Sequence, residues 1–352
     1  MKLKDILQQV CLAYDIKLLS FQLLAGGHIH QTYKVESDRG SFLIQSFNED
    51  VFPNPELIHS NFALTQSHIN DTYSTSLLPD WKYTTDGEPY FRMNDSLWRS
   101  SQFIENSVCY EQCPNQEIAY QAGKILGKFH RLTHDMSLDD IKPIIPNFHN
   151  MEFRWSQLQQ AIKGDQALRV KDHSEIIEKI TSFYEQCDFL SGQEGVVPMR
   201  LLHNDPKLSN MLFDNTDRAT HLIDLDTIMA GYIQYDVGDL VRSCCSLTAE
   251  DEVNGEENFF NINWFTRIIQ GYAEEVNGIV VPEEVSSLAT AGKYMTFIMA
   301  IRFLADYFNG DLYYHTEYHG QNLNRVKNQI KLFEEMYIQL DQLREIVYLK
   351  FS

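Results

Sequence analysis

The chain has 352 residues, of which 43% are hydrophobic, so it is long enough to bury a sizeable core and to form two lobes. Its 49 acidic residues outnumber 29 basic ones, and the formal net charge of -20 repels phosphate backbones and anionic lipid headgroups. Nucleic acid and membrane surfaces are therefore excluded as default partners, and no obligate protein partner is inferred.

The cysteines follow no repeating pair pattern, and a chain of this length needs no disulfides, so a reducing cytoplasmic location is expected. Cys109 and Cys113 lack a second close pair that would complete a four-ligand metal site. No segment reaches the roughly 20 apolar residues of a membrane span. Even FIMAIRFLADYF contains Arg302 and Asp306.

The first predicted element is an amphipathic helix in MKLKDILQQVCLAYDI, because its apolar residues recur at helical spacing. Residues 21–104 then carry strand and turn signals, and we expect five short strands and one helix there. The helix is predicted from Pro55, with Asn54 as its N-cap. A hairpin is predicted at Asp86 and Gly87, and a second turn at residues 94–96.

The pattern changes near residue 105, where PNQEIAYQAGKILGKFHRL begins a series of long helices that ends with an amphipathic tail helix, QIKLFEEMYIQLDQLREIV. The predicted fold class is α+β, a bilobal protein-kinase-like fold with an antiparallel N-terminal sheet plus helix and a larger, mostly helical C-terminal lobe. We place the nucleotide-binding lobe at residues 1–105. The lobe with the catalytic loop and acceptor site is residues 106–352.

Polar residues concentrate in the block 199–228, where two loops follow short apolar runs. Asp205 and Asn210 are five residues apart in the first loop, and Asp224 follows the second run. Moving a phosphoryl group from a magnesium nucleotide requires a carboxylate to orient the attacking hydroxyl and hard oxygen ligands for the metal. Asp205 suits the first role, and Asn210 and Asp224 suit the second. Lys207 could neutralise charge on the transferred group, although a solvated loop lysine is an equal alternative.

Two other classes of enzyme compete for the same residues. The sequence DLD at residues 224–226 suits the metal-binding pair of a nucleotide-sugar glycosyltransferase, and His203 with the carboxylates suits a metallohydrolase. Neither alternative explains Asn210. The later residues Asp236, Asp239 and Arg242 are expected to brace the catalytic loop.

The chain resembles the aminoglycoside phosphotransferase and choline kinase superfamily, and within it the bacterial N-acetylhexosamine 1-kinases. The resemblance is carried by GGHIHQTY, SFLIQSFN, WRSSQFIE, IPNFHNMEFRW, HNDPKLSN, LIDLDTIMAGYIQYDVGDLVR and RFLADYFNGDLYYHTEYHGQNLNR. These blocks occur in order along nearly the whole chain.

The resemblance implies an ATP-dependent, magnesium-dependent kinase that acts on a small-molecule sugar acceptor. It implies that Asp205 orients the sugar hydroxyl, that Asn210 and Asp224 bind Mg²⁺, and that Asp226 stands beside the metal. It further implies that Gly26 and Gly27 form a turn over the phosphates. Adenine would be bound by the connection of Gln102, Phe103 and Ile104, and the sugar by His28, Arg302 and Tyr313.

Two residues depart from the family pattern. Gln45 occupies the third-strand position where most kinases of this architecture have a phosphate-binding lysine, and an amide supplies hydrogen bonds but no charge. Pro206 follows Asp205, where the branch more usually has threonine, and biases Asp205 toward an extended backbone.

Arg302 lies among apolar residues, so it needs a carboxylate or a substrate to satisfy its charge. A buried ion pair with Asp236 or Asp239 is the alternative to sugar contact. Three functions remain open from the sequence: an N-acetylhexosamine kinase, an aminoglycoside or choline/ethanolamine-type kinase, and a nucleotide-binding pseudokinase.

Overall fold

The computed structural model describes residues 2–24, 30–73, 75–186, 197–253 and 259–352. Gly26, Gly27 and His28, predicted to cover the phosphates and to reach the sugar, lie outside the described residues. Their assignments stay predictions.

The N-terminal part is an antiparallel sheet with two helices. Its strands run in the order β1-β2-β3-β6-β4, and β5 also pairs with β6. The elements are α1 (Leu3–Ala13), β1 (Ser20–Leu23), β2 (Gln31–Ser37), β3 (Gly40–Phe47), α2 (Pro55–Tyr73), β4 (Trp81–Lys82), β5 (Phe91–Met93) and β6 (Ser96–Gln102).

Alternation along the strands places a different core on each face of this sheet. Ile44 and Trp98 pack with Leu7 and other buried residues of α1, whereas Phe47 and Leu97 join the large cluster that contains the buried residues of α2. Because successive strand residues point to opposite faces, Leu97 packs in the core with α2 and Trp98 packs in the core with α1.

The predicted small-lobe elements form with two differences. The described sheet has six strands where five were expected. The turn at Asp86 and Gly87 is present, with Gly87 at φ 86°, but the strands on either side of it both pair with β6 and not with each other. The prediction of a hairpin there was wrong, because the two strands lie one after the other along the edge of β6 that β3 leaves free. The second turn does join a hairpin, β5 to β6, through Asn94 and Asp95 at positive φ.

The C-terminal part is mostly helical and holds two small antiparallel sheets, β10-β9-β7 and β11-β8. The lobe boundary is predicted within the connection between β6 and α3. The elements are β7 (Ser107–Val108), α3 (Gln116–Leu132), α4 (Met151–Gly164), α5 (Ser174–Gln186), β8 (Arg200–Leu202), β9 (Met211–Asp214), β10 (Ala219–Leu222), β11 (Met229–Gly231), α6 (Ile233–Cys244), α7 (Ile262–Val276), α8 (Pro282–Asn309), α9 (Gln321–Ile338) and α10 (Leu340–Phe351).

The long helices pack closely around α8. By length and composition α8 could cross a membrane, but 89% of its most apolar window is buried inside the protein, as in a core helix. The predicted tail helix is divided into α9 and α10 at Gln339. Helices α3 and α7 cross at glycines: a Cβ on Gly123 would lie 2.1 Å from the Ile268 carbonyl oxygen, so this contact requires glycine on α3.

Candidate active site

The loop that carries Asp205 follows β8 and is held from beneath by the first turn of α6. Asp236, fully buried, accepts hydrogen bonds from the backbone N–H of His203 (2.8 Å) and of Asn204 (2.7 Å). The His130 ring contacts the same carboxylate at 3.0 Å. Since Asn204 has a positive φ of 65°, this anchoring maintains a backbone conformation that is uncommon for a residue other than glycine. Asp236 therefore braces the loop, as expected from the sequence.

Asp205, Lys207 and Asn210 form one cluster in this loop. The Asn210 side-chain amide donates to Asp205 Oδ2 and to the Asp205 carbonyl oxygen, both at 2.9 Å. Lys207 Nζ lies 3.3 Å from Asp205 Oδ2. Burial raises the pKa of Asp205, and the Lys207 ammonium opposes that rise. The Asp205 carboxylate in turn raises the pKa of Lys207, so the lysine is a cation at neutral pH.

Asp224 is brought to the same place by a backbone bond, in which Ile223 N–H donates to the Asn210 carbonyl oxygen at 2.9 Å. Asp224 is exposed and has φ 61°, a left-handed conformation that aspartate tolerates better than most residues. Within the described residues its carboxylate has no recorded hydrogen bond or ion pair.

These residues fit a magnesium ion held partly by a nucleotide. With its amide nitrogen donating to Asp205, Asn210 keeps its side-chain oxygen free as a hard ligand, as Asp224 keeps its carboxylate. Among the described residues no cluster of three or more His, Cys, Asp or Glu could hold a metal by itself. Mg²⁺ commonly takes only one or two protein oxygens beside phosphate oxygens and waters, which agrees with this sparse donor set.

Asp226, predicted to stand beside the metal, has other partners. Both carboxylate oxygens accept from the Arg99 guanidinium, and Oδ2 also lies 2.7 Å from His30 Nε2. The residue is 1% exposed. Its oxygens contact a buried cation and a histidine, and its place beside the metal stays a prediction.

Gln45, predicted to hydrogen-bond the phosphates, is also engaged within the protein. Its Oε1 accepts from Arg99 Nε at 2.8 Å, and its Nε2 donates to Thr32 Oγ1 at 2.9 Å. Arg99 lies directly opposite Gln45 in the β3–β6 pairing. The cation missing from the third strand thus occurs on the neighbouring strand, where it pairs with Asp226.

The connection after β6 offers fewer backbone groups to adenine than expected. The N–H of Gln102 donates to the Asp80 carbonyl and that of Phe103 to the Ser41 carbonyl. Within the described residues only the Ile104 N–H of this trio has no recorded acceptor. Lys34 Nζ stands 4.2 Å from the centre of the Phe103 ring. Ile104 is therefore the remaining backbone donor for a base edge.

Arg302 lies in an aromatic setting beside the catalytic loop. Its guanidinium carbon is 5.0 Å from the centre of the Phe148 ring and 5.9 Å from that of the exposed Tyr313. The alternative of an ion pair was wrong for both acids, because Asp236 anchors the loop and Asp239 pairs with Arg242 at 2.8 Å. No carboxylate of the described residues lies within ion-pair distance of Arg302.

Arg154 and His149 complete this face, and sequence reasoning gave neither a role. The Arg154 guanidinium carbon lies 5.9 Å from the same Phe148 ring, and burial together with Arg302 lowers the pKa of Arg154 to about 10. The buried His149 ring contacts the Asn204 carbonyl oxygen at 2.9 Å through Nε2. This bond links His149, whose pKa the Arg302 charge helps to lower, to the residue that precedes Asp205.

Arg99 and His30 are the site residues that sequence reasoning missed. A charged residue in the centre of the strand SLWRSSQ was the available signal for Arg99. His30 offered no comparable signal, because its partner Asp226 is distant along the chain.

A family model described as "Phosphotransferase enzyme family" matches residues 20–264. Among solved structures, a microcompartment-associated aminopropanol kinase has a TM-score of 0.65 at 18% identity, over 97% of this chain and 98% of its own. An aminoglycoside phosphotransferase from Alicyclobacillus acidocaldarius has a TM-score of 0.60 at 15% identity, over 97% of this chain and 96% of its own. A choline kinase from Streptococcus pneumoniae has a TM-score of 0.57 at 12% identity, over 94% and 99%. These likenesses show the fold.

Proposed function

The chain belongs to the phosphotransferase enzyme family, and on that premise we propose that it transfers the terminal phosphoryl group of ATP to a sugar hydroxyl. The proposed acceptor is an N-acetylhexosamine, phosphorylated at its anomeric hydroxyl. The coarser activity, that of a small-molecule kinase, follows from family membership. The acceptor is the proposal.

Asp205 orients the acceptor hydroxyl and takes its proton. Its Oδ2 is held by Asn210 and faces Lys207, so the carboxylate is fixed by partners on its own loop. Asn210 and Asp224 would hold Mg²⁺, which supplies charge neutralisation at the phosphate oxygens. Lys207 would add a cation close to the reacting oxygen, where developing negative charge needs it.

The charge of the acceptor face is the observation that carries the choice of a sugar. Arg302 and Arg154 share the Phe148 ring, and no carboxylate of the described chain lies within ion-pair distance of Arg302. A cationic acceptor such as an aminoglycoside or choline would be repelled there and would want carboxylates instead. A sugar presents hydroxyl and amide oxygens that a guanidinium can donate to, and the exposed Tyr313 offers a ring to stack on.

A panel of acceptors tests the proposal. Purified protein with MgATP should release ADP with N-acetylglucosamine or N-acetylgalactosamine, and phosphorus NMR of the product should show coupling to the anomeric proton. Asp205→Asn should abolish turnover, while Asp140→Asn, at an exposed carboxylate, should leave it unchanged. Turnover of kanamycin, choline or an amino alcohol but of no N-acetylhexosamine would refute the sugar acceptor.

The cationic alternative stays in the panel for a specific reason. The aminopropanol, choline and aminoglycoside kinases named above share this fold, and the net charge of -20 would attract cations to the molecule as a whole. At the acceptor face itself, the guanidinium groups of Arg302 and Arg154 would repel a cation. ATP binding without turnover of any acceptor would indicate a pseudokinase.

A further inference from the structure

We propose that Arg99 is a positioning residue for phosphoryl transfer, which fixes the metal-binding turn of Asp224 against the small-lobe sheet by holding Asp226. The inference rests on the proposed function, because it takes Asp224 as the magnesium ligand. Arg99 touches neither nucleotide nor acceptor in this role.

The link between the sheet and the turn is a buried, two-pronged ion pair. Arg99 donates from Nη1 to Asp226 Oδ1 and from Nη2 to Oδ2, the latter at 2.8 Å. The two residues are 6% and 1% exposed. A guanidinium that meets a carboxylate with two parallel bonds restrains both distance and orientation.

The side chains that contact this pair are themselves hydrogen-bonded, which makes the link specific in geometry. His30 Nδ1 accepts from the Asn48 N–H at 3.0 Å, so the ring hydrogen lies on Nε2 and points to Asp226 Oδ2. Arg99 Nε binds Gln45, whose amide continues to Thr32 on β2. Several connected hydrogen bonds in a buried network favour one arrangement of its members.

The Asp224 side chain has no anchor of its own in the described chain, since its carboxylate has no recorded partner. Its backbone is tied to the catalytic loop through Ile223 and leads directly into the short 3₁₀ turn Leu225–Thr227 that contains Asp226. The far end of the turn is tied to the same loop by Thr227 Oγ1, which donates to the His203 carbonyl at 2.7 Å, and to α2 by Asn61, which donates to the Ile228 carbonyl at 2.8 Å. Asp226 is the residue by which the sheet holds this turn, so displacing Asp226 is expected to shift Asp224 relative to Asn210.

This arrangement differs from the usual kinase link. In protein kinases the sheet lysine pairs with a glutamate of the small-lobe helix and contacts the phosphates. Here the sheet cation lies one strand further along and binds the metal loop directly. The cation of the small-lobe sheet thereby helps to position the metal-binding loop, instead of neutralising the charge of the phosphates.

Calorimetric titration of ADP with and without Mg²⁺ gives a direct test. Arg99→Leu and Asp226→Asn should weaken Mg²⁺-dependent ADP binding by about 10–100-fold, the range for partners that orient a metal ligand. ADP binding without Mg²⁺ and the acceptor KM should stay at wild-type values. Arg92→Leu is the matched control, because its two-pronged pair with Glu49 is on the same sheet but exposed.

A double variant removes the effect of an unpaired buried charge. Arg99→Leu/Asp226→Leu should restore a folded protein if either single variant is unstable, and it should still show weakened Mg²⁺-dependent binding. Wild-type Mg²⁺-dependent binding in the folded variants overturns the inference alone. ADP binding by the wild type that ignores Mg²⁺ overturns the proposed function, and the inference with it.

Discussion

His149 should make the protein sensitive to mild acid. Burial, together with the nearby Arg302 charge, lowers the pKa of this histidine from 6.5 to about 4. The folded state therefore prefers the neutral ring, so the stabilisation is complete above the unfolded pKa and is lost as pH falls from 6.5 toward 4. At about 1.4 kcal/mol for each pKa unit, the loss reaches roughly 3 kcal/mol at the bottom of this window.

The structural reason is that a second proton on the His149 ring would have no hydrogen-bond acceptor among the described residues. Nε2 already contacts the Asn204 carbonyl, and Nδ1 is buried with no hydrogen-bond partner among the described residues. A second N–H would be an unsatisfied donor facing a guanidinium. His149→Gln keeps an amide donor for Asn204 but cannot titrate.

Urea unfolding of wild type and His149→Gln near neutral pH and near pH 4.5 measures the effect. The wild type should lose about 2–3 kcal/mol more than the variant over that interval. His319→Gln, which changes an exposed histidine, should lose as much as wild type. Equal acid sensitivity of wild type and His149→Gln would refute the reasoning.

Three other changes separate packing, loop anchoring and charge. Gly123→Ala should cost at least about 1–3 kcal/mol in urea unfolding, because its methyl meets the α7 backbone, whereas Gly164→Ala, with open space around it, should gain up to about 1 kcal/mol. Asp236→Asn should lower both kcat and thermal stability, since the loop loses a charged acceptor worth about 1–3 kcal/mol; an unchanged kcat would contradict its bracing role. Lys207→Met should reduce kcat by roughly 10²-fold with little change in acceptor KM, and a change in KM alone would place the lysine in binding.

The sequence predicted the parts of the fold and site that depend on short separations. Helix α2 begins at Pro55, and the Asn94–Asp95 turn joins two strands, because caps and tight turns are local. Asn210 reaches Asp205 across five residues of one loop. Local spacing is visible without knowing the fold.

The errors lie where partners are distant along the chain. Arg99 and Asp226 are 127 positions apart, and Arg99 and Gln45 are 54 apart. Sequence spacing contains no information about such pairs, and the roles predicted for Gln45 and Asp226 came from the family resemblance and not from these contacts. The hairpin predicted at Gly87 failed for the same reason, since both of its strands pair with β6, which comes later along the chain, and not with each other.

The pairing of Arg99 with Asp226 changes how the phosphates are neutralised. Arg99 lies opposite the position of the missing lysine on the neighbouring strand, yet its Nη1 and Nη2 bind a carboxylate and its Nε binds Gln45. Gln45 is neutral and is bonded at both ends. Neither residue can therefore contribute net charge to the nucleotide.

On the proposed function, positive charge from the protein would come from the acceptor side of the transferred group. Lys207 is such a cation: its side chain is 31% exposed, and its Nζ stands 3.3 Å from the Asp205 carboxylate that is proposed to orient the hydroxyl. From there it could meet the phosphoryl group as that group approaches the acceptor, when its charge spreads over the equatorial oxygens. A kinase built this way places its fixed cation at the reacting oxygen and leaves the bridging phosphates to the metal. Loss of Lys207 should therefore affect kcat more than nucleotide affinity.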